Sequence, residues 1–156
     1  MERVIAKATK WTLASWHLAR PAAGISPRQM CQLYQAVAIP SFTYAADVWF
    51  TLIFKEPDTG KSSGSVGVAR KLSSVQRMAM TAIMGALRTS ASDVLEVHAN
   101  LLPVELLLHR ACHQATLRLA TLPEPHPLSK PVRQSTWWFL KRHRSPLHHL
   151  FHAFEI

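Results

Sequence analysis

The stretch TYAADVWF, residues 43–50, comes close to a motif that could bind catalytic metal ions. Two-metal sites for phosphoryl transfer hold their ions between several carboxylates that lie close together. Here the tetrapeptide Tyr-Ala-Ala-Asp ends in one carboxylate, Asp47, which is followed by Val48 and Trp49. The apolar residues around Asp47 have helical spacing, so we predict a helix at this position and no catalytic residue.

Two histidine pairs have the four-residue spacing that places two imidazoles on one helix face. They are His148 with His152 near the C-terminus, and His109 with His113 in a leucine-rich segment. Neither pair has an obvious third ligand, and the His-Glu-x-x-His pattern is absent. The chain also lacks a glycine-rich phosphate loop and a Gly-x-Ser-x-Gly elbow. We therefore predict structural or surface roles for these histidines, and neither a metal, a cofactor nor an enzymatic activity.

The basic residues provide the positive functional signal. Cations attract phosphates, and aromatic side chains can stack on exposed bases. Near the C-terminus the cations are interleaved with Trp137, Trp138 and Phe139, which either take part in such stacking or pack in the core. The candidate nucleic-acid-binding residues are Arg70, Lys71, Arg77, Arg88, Arg133, Lys141, Arg142 and Arg144.

The overall charge agrees with a polyanionic partner. The 156 residues contain 18 Lys and Arg against 9 Asp and Glu, which gives a formal net charge of +9. Hydrophobic residues make up 48% of the chain, so a packed domain is expected. Two distant cysteines fit neither a metal site nor a disulfide framework, and there is no long apolar run. These features predict a nuclear or cytoplasmic protein that is neither secreted nor inserted in a membrane.

Periodicity predicts an all-α fold, an irregular bundle of five to seven helices. Ser26 and Gln29 form a capping-box pattern around Pro27, which favours a helix start at this point. Pro40 lies inside the helix that follows and should kink or break it. The predicted helices are 3–19, 27–50, about 68–84, 91–98, 104–121 and a short one after Ser145-Pro146.

Two segments interrupt the helical pattern. Residues 55–67, KEPDTGKSSGSVG, predict a polar surface loop, and residues 123–131, PEPHPLSKP, predict an extended, proline-rich connector. We therefore expect a helical domain over residues 1–122, the connector over 123–131, and a basic, aromatic helical segment over 132–156.

Several stretches taken together resemble a known family. They are LYQAVAIPSFTYAADVWF, then RKLSSVQRMAMTAIMGALRTSASDVLEVHANLLPVELLLHRACHQATLRL, then PHPLSKP. Their order and spacing resemble the region between the palm and ribonuclease H domains of LINE-type, non-LTR retrotransposon reverse transcriptases, particularly fungal ones. The resemblance implies a thumb and connector, whose helices help to hold the template–primer duplex. It also implies that the palm, with its paired aspartates, and the ribonuclease H domain are missing partners.

Three hypotheses follow. The first is a non-catalytic helical module, thumb-like in its domain of residues 1–122, that contacts RNA–DNA or DNA duplexes without sequence specificity. The second is a decayed element fragment that acts only as a structural or protein-interaction domain. The third is association with an anionic membrane surface, which depends on the basic N-terminal helix alone.

Overall fold

The computed structural model describes residues 2–18, 24–55 and 60–137. The helices are α1 (Glu2–Leu18), α2 (Pro27–Leu33), α3 (Ile39–Thr43), α4 (Ala46–Trp49), α5 (Val66–Met84), α6 (Ser92–His98), α7 (Val104–Ala120) and α8 (Ser129–Trp137). A π-helical segment, Tyr34–Ala38, joins α2 to α3. With α2 to α3 counted as one rod and the single turn α4 left out, the described residues form six helices. This confirms the all-α fold of five to seven helices.

The N-terminal helix α1 is amphipathic, as its sequence predicts. Ala8 and Thr12 are buried, while Arg3, Lys7 and Lys10 are exposed. The Thr12 hydroxyl donates to the Ala8 carbonyl at 3.1 Å, so this buried polar group is hydrogen-bonded. This helix packs against the π segment and α3.

The start of α2 follows the capping box read from the sequence. The Gln29 backbone N–H donates to the Ser26 hydroxyl oxygen at 3.4 Å, and the Ser26 N–H donates to the Gln29 Oε1 at 3.2 Å. Pro27 takes the first helical position, where its missing N–H has no intrahelical partner to lose. The predicted start of this helix is confirmed.

Pro40 is accommodated by the wider helical turn that precedes it. The Ile39 N–H donates to the Tyr34 carbonyl, five residues back, so the helix is wider than an α-helix just before Pro40. The wider turn makes room for the proline ring, which in an α-helix would clash with the preceding turn. The helix then ends at Thr43 and not at residue 50. Tyr44 leaves the helical conformation, and Ala45 adopts the left-handed conformation at φ 52°. The prediction of one helix through TYAADVWF is therefore wrong, since the stretch contains a helix end, a turn and the short helix α4.

Two left-handed residues end α5 and α6. After α5, Gly85 has φ 61°, and the Ala86 N–H donates to the Thr81 carbonyl at 3.1 Å. After α6, Asn100 has φ 52°, and the Leu101 N–H donates to the Glu96 carbonyl at 2.9 Å. These hydrogen bonds satisfy carbonyls that a helix end leaves without intrahelical partners. They require one residue in the left-handed conformation, which glycine and asparagine adopt at low energetic cost.

The described part of the loop 55–67 is polar and mostly exposed, but its base is ordered. The strands β1 (Phe54–Lys55) and β2 (Ser62–Ser63) pair antiparallel, a feature that the sequence did not indicate. Next to this pair, the Thr51 N–H donates to the Ser65 hydroxyl at 2.9 Å, and the Ser65 N–H donates to the Thr51 carbonyl at 3.1 Å. The backbone of Gly64, at φ 105°, packs so closely against the Leu52 carbonyl that a Cβ at this position would clash with it.

The proline-rich segment 123–131 is not extended. The His126 N–H donates to the Pro123 carbonyl at 2.9 Å, and the Ser129 N–H donates to the His126 carbonyl at 2.9 Å. These bonds close two successive turns, and Pro127 takes the second position of the latter, which its fixed φ favours. Because α8 begins at Ser129, the prediction of an extended connector is wrong.

The chain divides into two compact units, each built from segments that are discontinuous in sequence. Unit 1 contains Met1–Tyr44 and Gly67–Leu107, and unit 2 contains Ala45–Val66 and Leu108–Ile156. Phe42 and Met80 are among the fully buried side chains of unit 1, and Phe50 and Leu108 among those of unit 2. The domain boundaries expected at 122 and 131 stay a prediction.

Candidate nucleic-acid interface

The helix α5 separates an apolar face from a basic one. Leu72, Ala79 and Met80 are buried in unit 1, together with other apolar residues three or four positions apart. Arg70 and Lys71 lie on the opposite, exposed side. The helix contains no aspartate or glutamate along its 19 residues, so no carboxylate of α5 neutralises these cations.

The Arg77 side chain is hydrogen-bonded to the loop that follows α5. Its Nη2 donates to the carbonyls of Arg88 and Ser90, both at 2.8 Å, and its Nη1 donates to the Ser92 hydroxyl. A guanidinium presents its donors in a rigid fork, which suits three acceptors arranged around one side chain. Arg77 was predicted to contact phosphate, but the structure shows it bound to the protein's own loop.

The side chain of Arg88 is exposed in the loop that Arg77 holds. Its carbonyl accepts one of the Arg77 hydrogen bonds, so the backbone at this position is fixed while the guanidinium faces solvent. Among the predicted residues whose side chains the structure describes, Arg70, Lys71 and Arg88 are exposed, and all three belong to unit 1. We call these three residues the α5 basic site.

The other four predicted residues belong to the C-terminal part of the chain. Arg133 lies in α8. Lys141, Arg142 and Arg144 lie outside the described residues, as do Trp138 and Phe139. The choice between stacking and core packing for the tryptophans therefore stays open.

Sequence reasoning overlooked two further arginines. Arg110 and Arg118 are both exposed on α7, in unit 2. Their eight-residue separation is close to two helical turns and could have identified them as sharing a face. They carry the same charge as the arginines of the α5 basic site but belong to another unit, which makes them useful for comparison.

A buried amide joins α5 to α6 and to the segment after it. Gln76 is fully buried, and its Nε2 donates to the Leu102 carbonyl at 3.0 Å and to the Glu96 carboxylate at 3.2 Å. Burial raises the pKa of Glu96, the hydrogen bond from Gln76 partly opposes this shift, and the charge of Asp93 adds to it. These bonds fix the helix that supports the α5 basic site.

The residues considered for metal binding have structural contacts. The Ile53 N–H donates to His109 Nε2 at 3.3 Å, and His113 Nδ1 lies 2.7 Å from the His109 carbonyl. The His109 ring also contacts Phe50 edge to face at 5.7 Å between centroids. Across residues 2–18, 24–55 and 60–137, no three His, Cys, Asp or Glu side chains lie close enough to hold a metal ion.

Both cysteines are buried and free. Burial raises the pKa of the Cys31 thiol. Burial, and to a lesser degree the negative charge of Asp47, raises the pKa of Cys112 to about 12. Since the thiolate is the reactive form, neither residue is suited to act as a nucleophile at neutral pH.

Comparison of the chain with protein families, curated proteins and solved structures gave no match. Within the described ranges, none of the helices has the length and apolar character needed to cross a membrane.

Proposed function

We propose that the protein is a non-catalytic helical module that contacts nucleic-acid duplexes, with the α5 basic site as its phosphate-binding surface. The resemblance to the thumb of LINE-type reverse transcriptases suggests an RNA–DNA hybrid as the first ligand to test. Contacts to phosphate position a protein on a duplex without reading its sequence, so the binding should be sequence-independent.

The main support for this proposal is the charge arrangement on α5. Arg70 and Lys71 are exposed on a helix without carboxylates, and Arg88 is exposed in a loop whose backbone Arg77 fixes. A fixed backbone reduces the entropy lost when a side chain near it is ordered on a ligand. The net charge of +9 adds a long-range attraction to any polyanion.

The proposal is tested by fluorescence anisotropy with a labelled RNA–DNA hybrid across a salt series. The logarithm of the association constant should fall linearly with the logarithm of the salt concentration, with a slope of about −0.9 per phosphate contact. The double substitution Arg70→Ala, Lys71→Ala should reduce the magnitude of this slope by about 1.8, because two contacts are removed.

The matched control is the double substitution Arg110→Ala, Arg118→Ala, which removes the same charge from unit 2. It should reduce the magnitude of the slope by much less than 1.8, because under the proposal these two side chains make no phosphate contact. Equal slopes for the two double variants would show that binding depends on overall charge, and would contradict a site on α5. No binding of the folded wild-type protein at low salt would contradict the proposed function.

A second candidate function, a protein-interaction domain, is favoured by exposed apolar side chains in unit 1. Leu87 is 75% exposed and Val97 79%, and Val94 is exposed on the same short helix as Val97. Val94 and Val97 lie three positions apart and share one face of this helix, and exposed apolar surface of this kind is often covered by a partner. Under this alternative, Leu87→Ser with Val97→Ser should reduce self-association in light scattering and reduce binding of an apolar dye. A monomeric wild-type protein that binds no dye would contradict it.

A further inference from the structure

A cleft separates α2 from the C-terminal ends of α5 and α6, within unit 1. Its volume is about 410 Å³, in the range of roughly 300–1,000 Å³ that is usual for small-molecule sites. Cys31 and Met84 lie at its wall, and Arg28, Gln32 and His98 are exposed beside it. We call this feature the α2 cleft.

The cleft is closed at one point by a hydrogen bond between its two sides. The Nε2 of Gln35, in the π segment, donates to the Asn100 carbonyl at 2.9 Å. Asn100 is the left-handed residue that ends α6, so its backbone position is fixed by the helix end. The two sides therefore have a defined separation before any ligand binds.

Carboxamides, one guanidinium and the His98 imidazole supply the polar groups of the cleft. Three carboxamides, Gln32, Gln35 and Asn100, each combine a donor with an acceptor, and Arg28 adds a cation. No residue that lines the cleft is an aspartate or a glutamate. The lining thus favours a ligand that has an anionic group and a planar hydrogen-bonding edge.

We propose that the α2 cleft binds a single unpaired nucleotide, with its phosphate at Arg28 and its base edge against the carboxamides. Glutamine and asparagine form paired hydrogen bonds with base edges, and with adenine in particular. Cys31 takes no covalent part, because its buried thiol stays protonated at neutral pH.

This site is separate from the α5 basic site, and it relies on the proposed function only for the ligand class. It can therefore be tested with mononucleotides, which are too small to make the several phosphate contacts that a duplex makes. The double variant Arg70→Ala, Lys71→Ala should lose duplex affinity and keep its affinity for a mononucleotide. Absence of duplex binding by the folded wild-type protein, with mononucleotide binding present, would count against the proposed function and leave the cleft site standing.

The experiment is a titration of the full-length, isotope-labelled protein with adenosine 5′-monophosphate, followed by NMR. The side-chain amide signals of Gln32, Gln35 and Asn100 should shift together, with one dissociation constant. The amide of Gln114, exposed on α7 in unit 2, is an internal reference and should not shift. Ribose 5-phosphate and inorganic phosphate are titrated in parallel.

The substitution Gln32→Leu should weaken the binding of adenosine 5′-monophosphate by about tenfold, as expected for a lost paired contact to a base. Gln32 is preferred to Gln35 because Gln35 also donates to the Asn100 carbonyl. The matched control Gln114→Leu should leave the dissociation constant unchanged. Unchanged backbone signals outside the cleft would show that both variants fold.

Three results would overturn the inference. The first is the absence of any shift in the three carboxamides of the folded protein at millimolar nucleotide. The second is an equal effect of ribose 5-phosphate or inorganic phosphate, which would show an anion site without base recognition. The third is an unchanged dissociation constant in Gln32→Leu.

Discussion

Replacing Gly64 with alanine tests the close packing at the base of the loop 55–67. Gly64 has φ 105°, and a Cβ at this position would lie 2.3 Å from the Leu52 carbonyl oxygen and 3.0 Å from its carbonyl carbon. The oxygen would have to move by about 1 Å to reach an ordinary van der Waals distance. Because Thr51 and Ser65 are joined by two hydrogen bonds beside it, the backbone has little freedom to do so.

The cost of Gly64→Ala combines two effects. A non-glycine residue with positive φ costs about 1–2 kcal/mol, and overpacking a close contact costs a further 1–3 kcal/mol or so. The expected loss in the free energy of unfolding is therefore about 2–5 kcal/mol. For a chain of this size, this loss corresponds to a decrease in Tm of roughly 4–20 °C.

Two other glycines provide matched controls. Gly60 also has positive φ, 62°, but a Cβ there would meet nothing within 4 Å, so Gly60→Ala should cost about 1 kcal/mol or less after the gain in unfolded-state entropy. Gly67, in the first turn of α5, also has open space, and Gly67→Ala should stabilise the protein by up to about 1 kcal/mol. Urea and thermal unfolding followed by far-UV circular dichroism would measure all three.

The reasoning depends on the difference between Gly64→Ala and Gly60→Ala. Equal losses in the two variants would mean that backbone conformation accounts for the whole effect, and the close approach to Leu52 would be refuted. A stabilised Gly64→Ala variant would refute both effects at once.

Three further predictions concern other parts of the fold. Ala45→Gly should raise the free energy of unfolding by about 0.5–1 kcal/mol in urea titrations, since glycine avoids the left-handed strain at φ 52°. The control Ala36→Gly, at an exposed position of the π segment, should lower the free energy of unfolding by a similar amount. Arg77→Lys should lower Tm, with a loss of about 1–3 kcal/mol, because an ammonium group cannot reach all three acceptors; Arg70→Lys is the neutral control. The pKa of Glu96 is higher in the folded than in the unfolded protein, so the protonated carboxyl favours folding. This contribution to the free energy of unfolding is fully present below the unfolded-state pKa and is lost as the pH rises through the folded-state pKa. Glu96→Gln should therefore gain stability relative to the wild type as the pH rises above about 4, the pKa of a glutamate in the unfolded chain, and a difference independent of pH would contradict the assignment.

The helix boundaries were predictable where local signals determine them. The Ser26–Gln29 capping box marks the start of α2, and Pro103 precedes the start of α7 at Val104. The sequence also located the disturbance caused by Pro40, but not its form. Whether a proline produces a kink or a π segment depends on the packing of neighbouring turns. The left-handed conformation of Ala45 has no signal in the sequence, because alanine seldom adopts that conformation.

The candidate site was predictable only in part. Exposure of Arg70 and Lys71 follows from the helical period, since the buried residues of α5 define the opposite face. The role of Arg77 does not, because its acceptors lie 11 to 15 residues away and are brought to it by the turn after α5. The α2 cleft was not visible in the sequence for the same reason, as it is formed by two segments that are distant along the chain, residues 27–35 and 84–100.

The two cysteines are distributed one to each compact unit. Cys31 belongs to unit 1 and Cys112 to unit 2, and both thiols are buried and free, with raised pKa values. An alkylating reagent can modify such thiols at an appreciable rate only after a local opening reaction exposes them. The unmodified protein thus contains two natural probes, and their separate rates of alkylation, resolved by peptide mass spectrometry, would give the opening free energy of each unit.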